Sequence, residues 1–165
     1  MSEAEAAPEL EYVGFWARVG ASIIDTVLMI IVTLPLIHLF YGDDYWSSTA
    51  FGTAFVRGPA DLLISYVFPI GAVLLFWIAR QATPGKMAIS ARIVDARTGG
   101  KPSAGQMVGR YFGYYVSILG CFLGFAWVGW DPRKQGWHDK LAGTVVVRTK
   151  KRLTATFEAP GPTDS

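Results

Sequence analysis

The chain is short of charge. Lys and Arg number 15 and Asp and Glu 13 among 165 residues, or 17 %, where soluble domains carry about 25 %. There is one cysteine, Cys121, so no intramolecular disulfide can form and a disulfide-stapled secreted scaffold is excluded. There are two histidines, His38 and His138, far apart in sequence, and a metal site needs more ligands than that. Residues 1–11 hold no Lys or Arg but carry Glu3, Glu5, Glu9 and Glu11. That is not the basic start of a secretory signal peptide, so the first apolar helix is expected to stay uncleaved. Gly-x-Ser-x-Gly, His-Glu-x-x-His and a phosphate-cradling loop are missing. The chain does not read as an enzyme, and it implies no cofactor and no metal.

What is abundant is hydrocarbon, 52 % of the chain. It is gathered into three runs. Val19–Phe40 holds one charge in 22 residues, Leu62–Ala79 none in 18, and Tyr111–Trp130 none in 20. A bilayer core is crossed by roughly 20 apolar residues in a helix. A soluble enzyme, a disordered chain and a nucleic-acid-binding module all fit this pattern poorly. The expected class is an all-α integral membrane protein with two transmembrane helices, a third membrane segment and a small cytoplasmic β element.

The placement of charge suggests the topology. Six basic residues, Arg80, Lys86, Arg92, Arg97, Lys101 and Arg110, lie between the second and third runs. Seven more, Arg133, Lys134, Lys140, Arg148, Lys150, Lys151 and Arg152, follow the third. The loop after the first run carries Asp43, Asp44 and Asp61 against Arg57. Basic residues mark the cytoplasmic side, so both termini are expected there and residues 42–61 outside. The third run has basic flanks at both ends. A re-entrant hairpin over 111–130 resolves that conflict and is favoured; a simple span stays open as the alternative. Ile89–Asp95 and Thr144–Arg148 both read as strands. Pairing them would satisfy both backbones and requires one side of the membrane.

Three charged residues stand out. Arg18 and Asp25 are seven residues apart on one helix face, about 10 Å along the axis, too far for a direct pair. Asp25 falls inside the first apolar run, where a carboxylate costs about 2.5–3.5 kcal/mol. Such a residue often lines an ion or proton path, or else fixes helix packing through a hydrogen bond. Asp139 follows a basic cluster. It reads as a turn or cap residue, or as the partner of Arg18 or Arg110 at the membrane surface.

These residues carry a family resemblance. Phe15-Trp-Ala-Arg18-Val-Gly-Ala-Ser-Ile-Ile-Asp25 resembles the opening of the RDD family, and Trp137-His-Asp139-Lys-Leu-Ala-Gly-Thr-Val-Val-Val resembles its end. Thr83-Pro-Gly-Lys86, Val94-Asp95 and Arg110 are similar to its middle section. The likeness covers about residues 12–149, leaving an acidic tail at 1–11 and a basic, then disordered, tail at 150–165. It implies a small multi-pass protein of the bacterial inner membrane. Members are commonly described as transporters, and cation–proton exchange has been attached to some.

Two functions follow as expectations. In the favoured one, a transporter, Asp25 binds a proton or small cation, and Arg18, Arg110 and Asp139 form a charge network at the cytoplasmic mouth. Three segments enclose little volume, so a homo-oligomer is the easier route to a pore. In the other, a structural or assembly protein, the charges hold the bundle. Lys86, Arg133, Lys134, Lys150, Lys151 and Arg152 then meet anionic lipid or a partner protein. Gly109-xxx-Gly113 and Gly120-xxx-Gly124 suit close helix contact. Trp16, Tyr41, Trp46, Trp77, Trp127, Trp130 and Trp137 read as interface belts.

Overall fold

A computed structural model describes residues 9–43, 45 and 56–150 of the chain. Asp44, Trp46, Lys151, Arg152 and the disordered-tail expectation lie outside the described residues, as does most of the acidic tail. Among the described residues the fold is mostly helical, with one small sheet.

Helix α1 runs Phe15–Tyr41. At about 1.5 Å per residue it is roughly 40 Å long, beyond the ~30 Å of a bilayer core. Pro35 lies inside it without ending it. Gly42 does end it: at φ 64 its N–H returns to the His38 carbonyl at 2.8 Å, a conformation that suits glycine. Helix α2, Pro59–Arg80, is the second segment long and apolar enough to cross a membrane. It widens into a π turn over Leu63–Val67. Pro69 follows at once and has no N–H to offer Ser65, which accounts for the irregular turn. The two helices run antiparallel. At one end the Asp61 N–H donates to the Tyr41 hydroxyl at 2.9 Å. Toward the other, Asp25 of α1 meets Thr83, just past the end of α2.

Past α2 the chain makes α3 (Pro84–Ala88) and strand β2 (Ala91–Asp95). Helix α4 (Ala104–Leu119) starts on a capping box, Ser103 and Gln106 bonding each other's backbone N–H. After α5 (Leu123–Gly129) come α6 (Trp137–Ala142) and β3 (Thr144–Thr149).

The expected strand pairing is present. β2 and β3 are antiparallel, with Ile93 opposite Val146. A third strand was not anticipated. β1 (Leu10–Tyr12) joins the other edge of β3, giving the order β1-β3-β2. The boundary drawn at residue 12 therefore cuts through a strand. Glu11 pairs with Arg148 at 2.5 Å and Glu9 with Lys150 at 3.1 Å.

The sheet fixes the path of the third run. β1 precedes α1, β2 follows α2, and β3 pairs with both, so the run leaves the sheet end of the molecule and comes back to it. The turn is made at Cys121 and Phe122, with φ of 53° and 62°. There α4 and α5 are bent by 114°. The arms are unequal, not the two ten-residue arms of an even hairpin. Small residues let them close up. A Cβ on Gly124 would lie 2.7 Å from Ser117, and one on Gly113 would lie 2.8 Å from the His138 backbone. Of the two glycine pairs, Gly113, Gly120 and Gly124 serve internal packing, whereas Gly109 faces open space.

The buried cluster under the sheet holds Val13, Trp77, Ile93, Met107 and Val146. Trp77 is 1 % exposed. It is a core residue and not part of an interface belt, because α4 and the sheet close over it.

Candidate functional site: a buried charge network beneath an apolar cavity

Asp139 sits in the first turn of α6 and is fully buried. Its carboxylate accepts from Arg18 Nη1 at 2.5 Å and from Arg110 Nη1. It also accepts the Gly136 N–H at 3.0 Å, capping its own helix. The cap role and the charge-partner role are therefore one arrangement. Arg110, also fully buried, donates on to Thr144 Oγ1 at 2.8 Å and lies over the Trp77 and Tyr114 rings. Arg18 donates its Nε to the Val13 carbonyl at 3.0 Å and its Nη2 to the Lys134 carbonyl at 2.5 Å. One guanidinium thus ties the start of α1 to the strand before it, to the 131–135 turn and to α6. The turn is held by Asp131, which accepts the Arg133 and Gln135 N–H groups and pairs with Lys140.

Burial alone would raise the Asp139 pKa. Arg110 and Arg18 outweigh it and hold the carboxyl below the usual range. His138 is the reverse case. Burial pushes it down to about 3, against the pull of Asp139 and with the help of the nearby cations, so it is neutral at neutral pH. Its ring stacks on Tyr114 at 4.3 Å, and Nδ1 lies 3.3 Å from Ser117 Oγ. Ser117, His138 and Asp139 resemble a nucleophile triad only in composition. The Ser117 hydroxyl donates to the Gly113 carbonyl and is fully buried.

Asp25 is not part of this network. Its Oδ2 accepts from Thr83 Oγ1 at 2.5 Å and its Oδ1 from the Gly85 N–H at 2.7 Å. The contact demands glycine, since a Cβ there would lie 2.0 Å from the Ala21 carbonyl oxygen. Asp25 also borders a small cavity of about 60 Å³ with Thr83, Phe76 and Leu28.

The basic residues expected on one exposed face divide. Arg133 is exposed and donates to the Ala96 carbonyl, and Lys150 is exposed and paired with Glu9. Lys134 is half-buried, its ammonium on the Gly129 carbonyl. Lys86 corrects the expectation, being 6 % exposed. Its Nζ reaches Thr83 Oγ1 at 3.5 Å and lies over the Trp77 ring. The short α3 turn directs it inward, three residues after Thr83. Sequence reasoning weighed His138 only as a metal ligand and Thr83 only as part of a motif, and gave no role to Gln135, whose side chain donates to the Thr144 carbonyl at 2.7 Å.

Above the network lies a cavity of about 510 Å³. Arg18, Lys86, Arg110 and His138 line one part of it. Val19, Ile23 and Val27 of α1 and Phe122, Phe125 and Ala126 of the bent segment make apolar walls. Among the described residues no three His, Cys, Asp or Glu side chains gather as a metal set.

Comparison with known proteins places these residues in context. The RDD family model matches residues 12–143. The uncharacterized protein YxaI of Bacillus subtilis is 30 % identical over 149 residues, covering 81 % of this chain and 95 % of that protein. An uncharacterized protein of Rickettsia prowazekii is 33 % identical over 76 residues, 46 % of this chain and 42 % of that one. A proline-rich antigen homolog of Mycobacterium tuberculosis is 32 % identical over 92 residues, and the match spans 35 % of its length. No solved structure matches.

Proposed function

Because the chain belongs to the RDD family, we propose that it is a bacterial inner-membrane protein that holds a lipid- or partner-binding site at the cytoplasmic surface and does not carry ions. α1 and α2 cross the bilayer, and the bent α4–α5 segment enters it and returns. The basic flanks of that segment, and those after α2, support a cytoplasmic place for the sheet and both termini. Apolar side chains such as Ile31 and Leu39 point outward along α1, which suits hydrocarbon as solvent.

The observation that carries the reading is how the acids are used. Asp25 and Asp139 each accept at least two hydrogen bonds from fixed donors of the protein itself. A carrier acid must release its partners once per cycle. Here release of Asp25 would free the α1–α3 contact, and release of Asp139 would strand two arginines. Both acids act as locks.

One observation favours the alternative, cation–proton exchange through Asp25. Asp25 and Thr83 border the 60 Å³ cavity, room enough for a water or a bare cation. Cation-driven proton flux in proteoliposomes decides between the two. Wild-type protein and Asp25→Asn should both match empty vesicles. Flux in the wild type that disappears in Asp25→Asn would establish exchange and remove the proposal.

A further inference from the structure

The cavity above the charge network has two chemically distinct parts. Arg18, Arg110 and Lys86 converge on one side of it. Ile23 and Val27 of α1 and Phe122 of the bent segment supply hydrocarbon to its lining, with Ser22 and Thr26 beside them on α1. Those three apolar residues are about half exposed or more. The cavity therefore opens sideways, toward the hydrocarbon that surrounds α1. Its volume of about 510 Å³ falls in the roughly 300–1,000 Å³ range of small-molecule sites.

The cationic side is not internally balanced. Asp139 is shared by two arginines. Asp25 is spent on Thr83 and Gly85. No carboxylate among the described residues lies within 4.0 Å of the Lys86 ammonium, whose one hydrogen bond is the 3.5 Å contact to Thr83. Arg110 lines the cavity but is fully buried, its guanidinium engaged by Asp139, Thr144 and Tyr114, and its Nε has no acceptor among the described residues. A buried cation with unspent donors is costly unless an anion reaches it.

We infer that the cavity binds one acidic membrane lipid, its anionic headgroup on Lys86 in the field of Arg18 and Arg110 and an acyl chain along Ile23 and Val27. This names the ligand class of the surface site proposed above and rests on that reading. The occupant is an amphiphile because the same cavity offers charge at one end and hydrocarbon at the other. It is an anion because three cations face one shared carboxylate. The opening fixes the route: the ligand enters laterally from the leaflet, without crossing water.

The test is native mass spectrometry of the full chain released from nanodiscs of equal phosphatidylglycerol and phosphatidylcholine. Wild type should retain one phosphatidylglycerol in preference to phosphatidylcholine. Lys86→Met keeps most of the unbranched side chain and removes the charge, and retention should fall by about tenfold or more, the scale of a hydrogen bond to a charged group. Ile23→Trp fills the mouth from an exposed position and, in protein whose unfolding midpoint matches wild type, should block retention with all three cations intact. Millimolar inorganic phosphate should not displace the lipid. Displacement by phosphate alone would reduce the site to a simple anion site and overturn the inference. Equal retention of both lipids, or unchanged retention in a folded Lys86→Met, would also overturn it. The proteoliposome flux result is independent, so loss of the lipid site would leave the non-carrier reading standing.

Discussion

At the scale of single residues, the site is governed by two buried groups whose folded pKa values are both lowered, so that both lose their contribution on acidification. His138 has a folded pKa of about 3 against an ordinary value of 6.5. The unfolded chain takes up that proton first, so stability is fully present above about pH 6.5 and is lost as the pH falls toward 3. The slope for one proton is about 1.4 kcal/mol per pH unit. Asp139 is held below its ordinary value of 3.8. Its contribution is present above that value and is lost on further acidification. Unfolding midpoints in mild detergent from pH 8 to pH 4 should therefore fall mainly below pH 6.5. His138→Phe keeps the stack on Tyr114 and should flatten that fall. A slope unchanged in the variant would assign the acid sensitivity elsewhere.

At the scale of elements, the decisive contacts are those that side-chain size permits. Gly85 and Gly109 give a matched pair. A methyl at Gly85 meets the Ala21 carbonyl and Asp25, and one at Gly109 meets nothing within 4 Å. Gly85→Ala should destabilise by about 1–3 kcal/mol, because α1 and α3 must separate. Gly109→Ala, in a helix interior, should stabilise by about 0.5–1 kcal/mol. Equal effects in a detergent unfolding series would refute the packing role of Gly85. This contrast also shows what sequence can and cannot reveal. The long apolar runs announced α1 and α2, because a spanning helix is written as uninterrupted hydrocarbon. Val145–Val147 announced β3 by β-branching. β1 was hidden because Leu10-Glu-Tyr is three residues long and lies in an acidic stretch; its partner is far away in sequence. Arg18, Arg110 and Asp139 stood out as charges beside apolar runs, and the fold joins them. Lys86 stood out as a basic residue but read as facing lipid or a partner, because its burial depends on how α3 docks on α1 and Trp77, which no local pattern encodes.

At the scale of the molecule, the sheet and the charge network do the same task by different means. β3 pairs with a strand before α1 and a strand after α2. Asp139 joins an arginine of α1 to an arginine of α4, across 121 and 29 residues of chain. Both hold the C-terminal part at the end of the bundle where α1 begins and α2 finishes. Removing one partner of a buried pair costs about 3–5 kcal/mol, so the network enforces the return of the third segment as well as the sheet does. On the topology proposed above, that return puts residue 149 on the same side as residue 101. Cysteine accessibility tests this most directly. In a background lacking Cys121, single cysteines are placed at Val56, Lys101 and Thr149 and labelled with a membrane-impermeant maleimide in intact and in inverted vesicles. Lys101 and Thr149 should label from the same side and Val56 from the other. Labelling of Thr149 together with Val56 would mean that the third segment crosses, and that the joined sheet and charge network do not exist in the membrane.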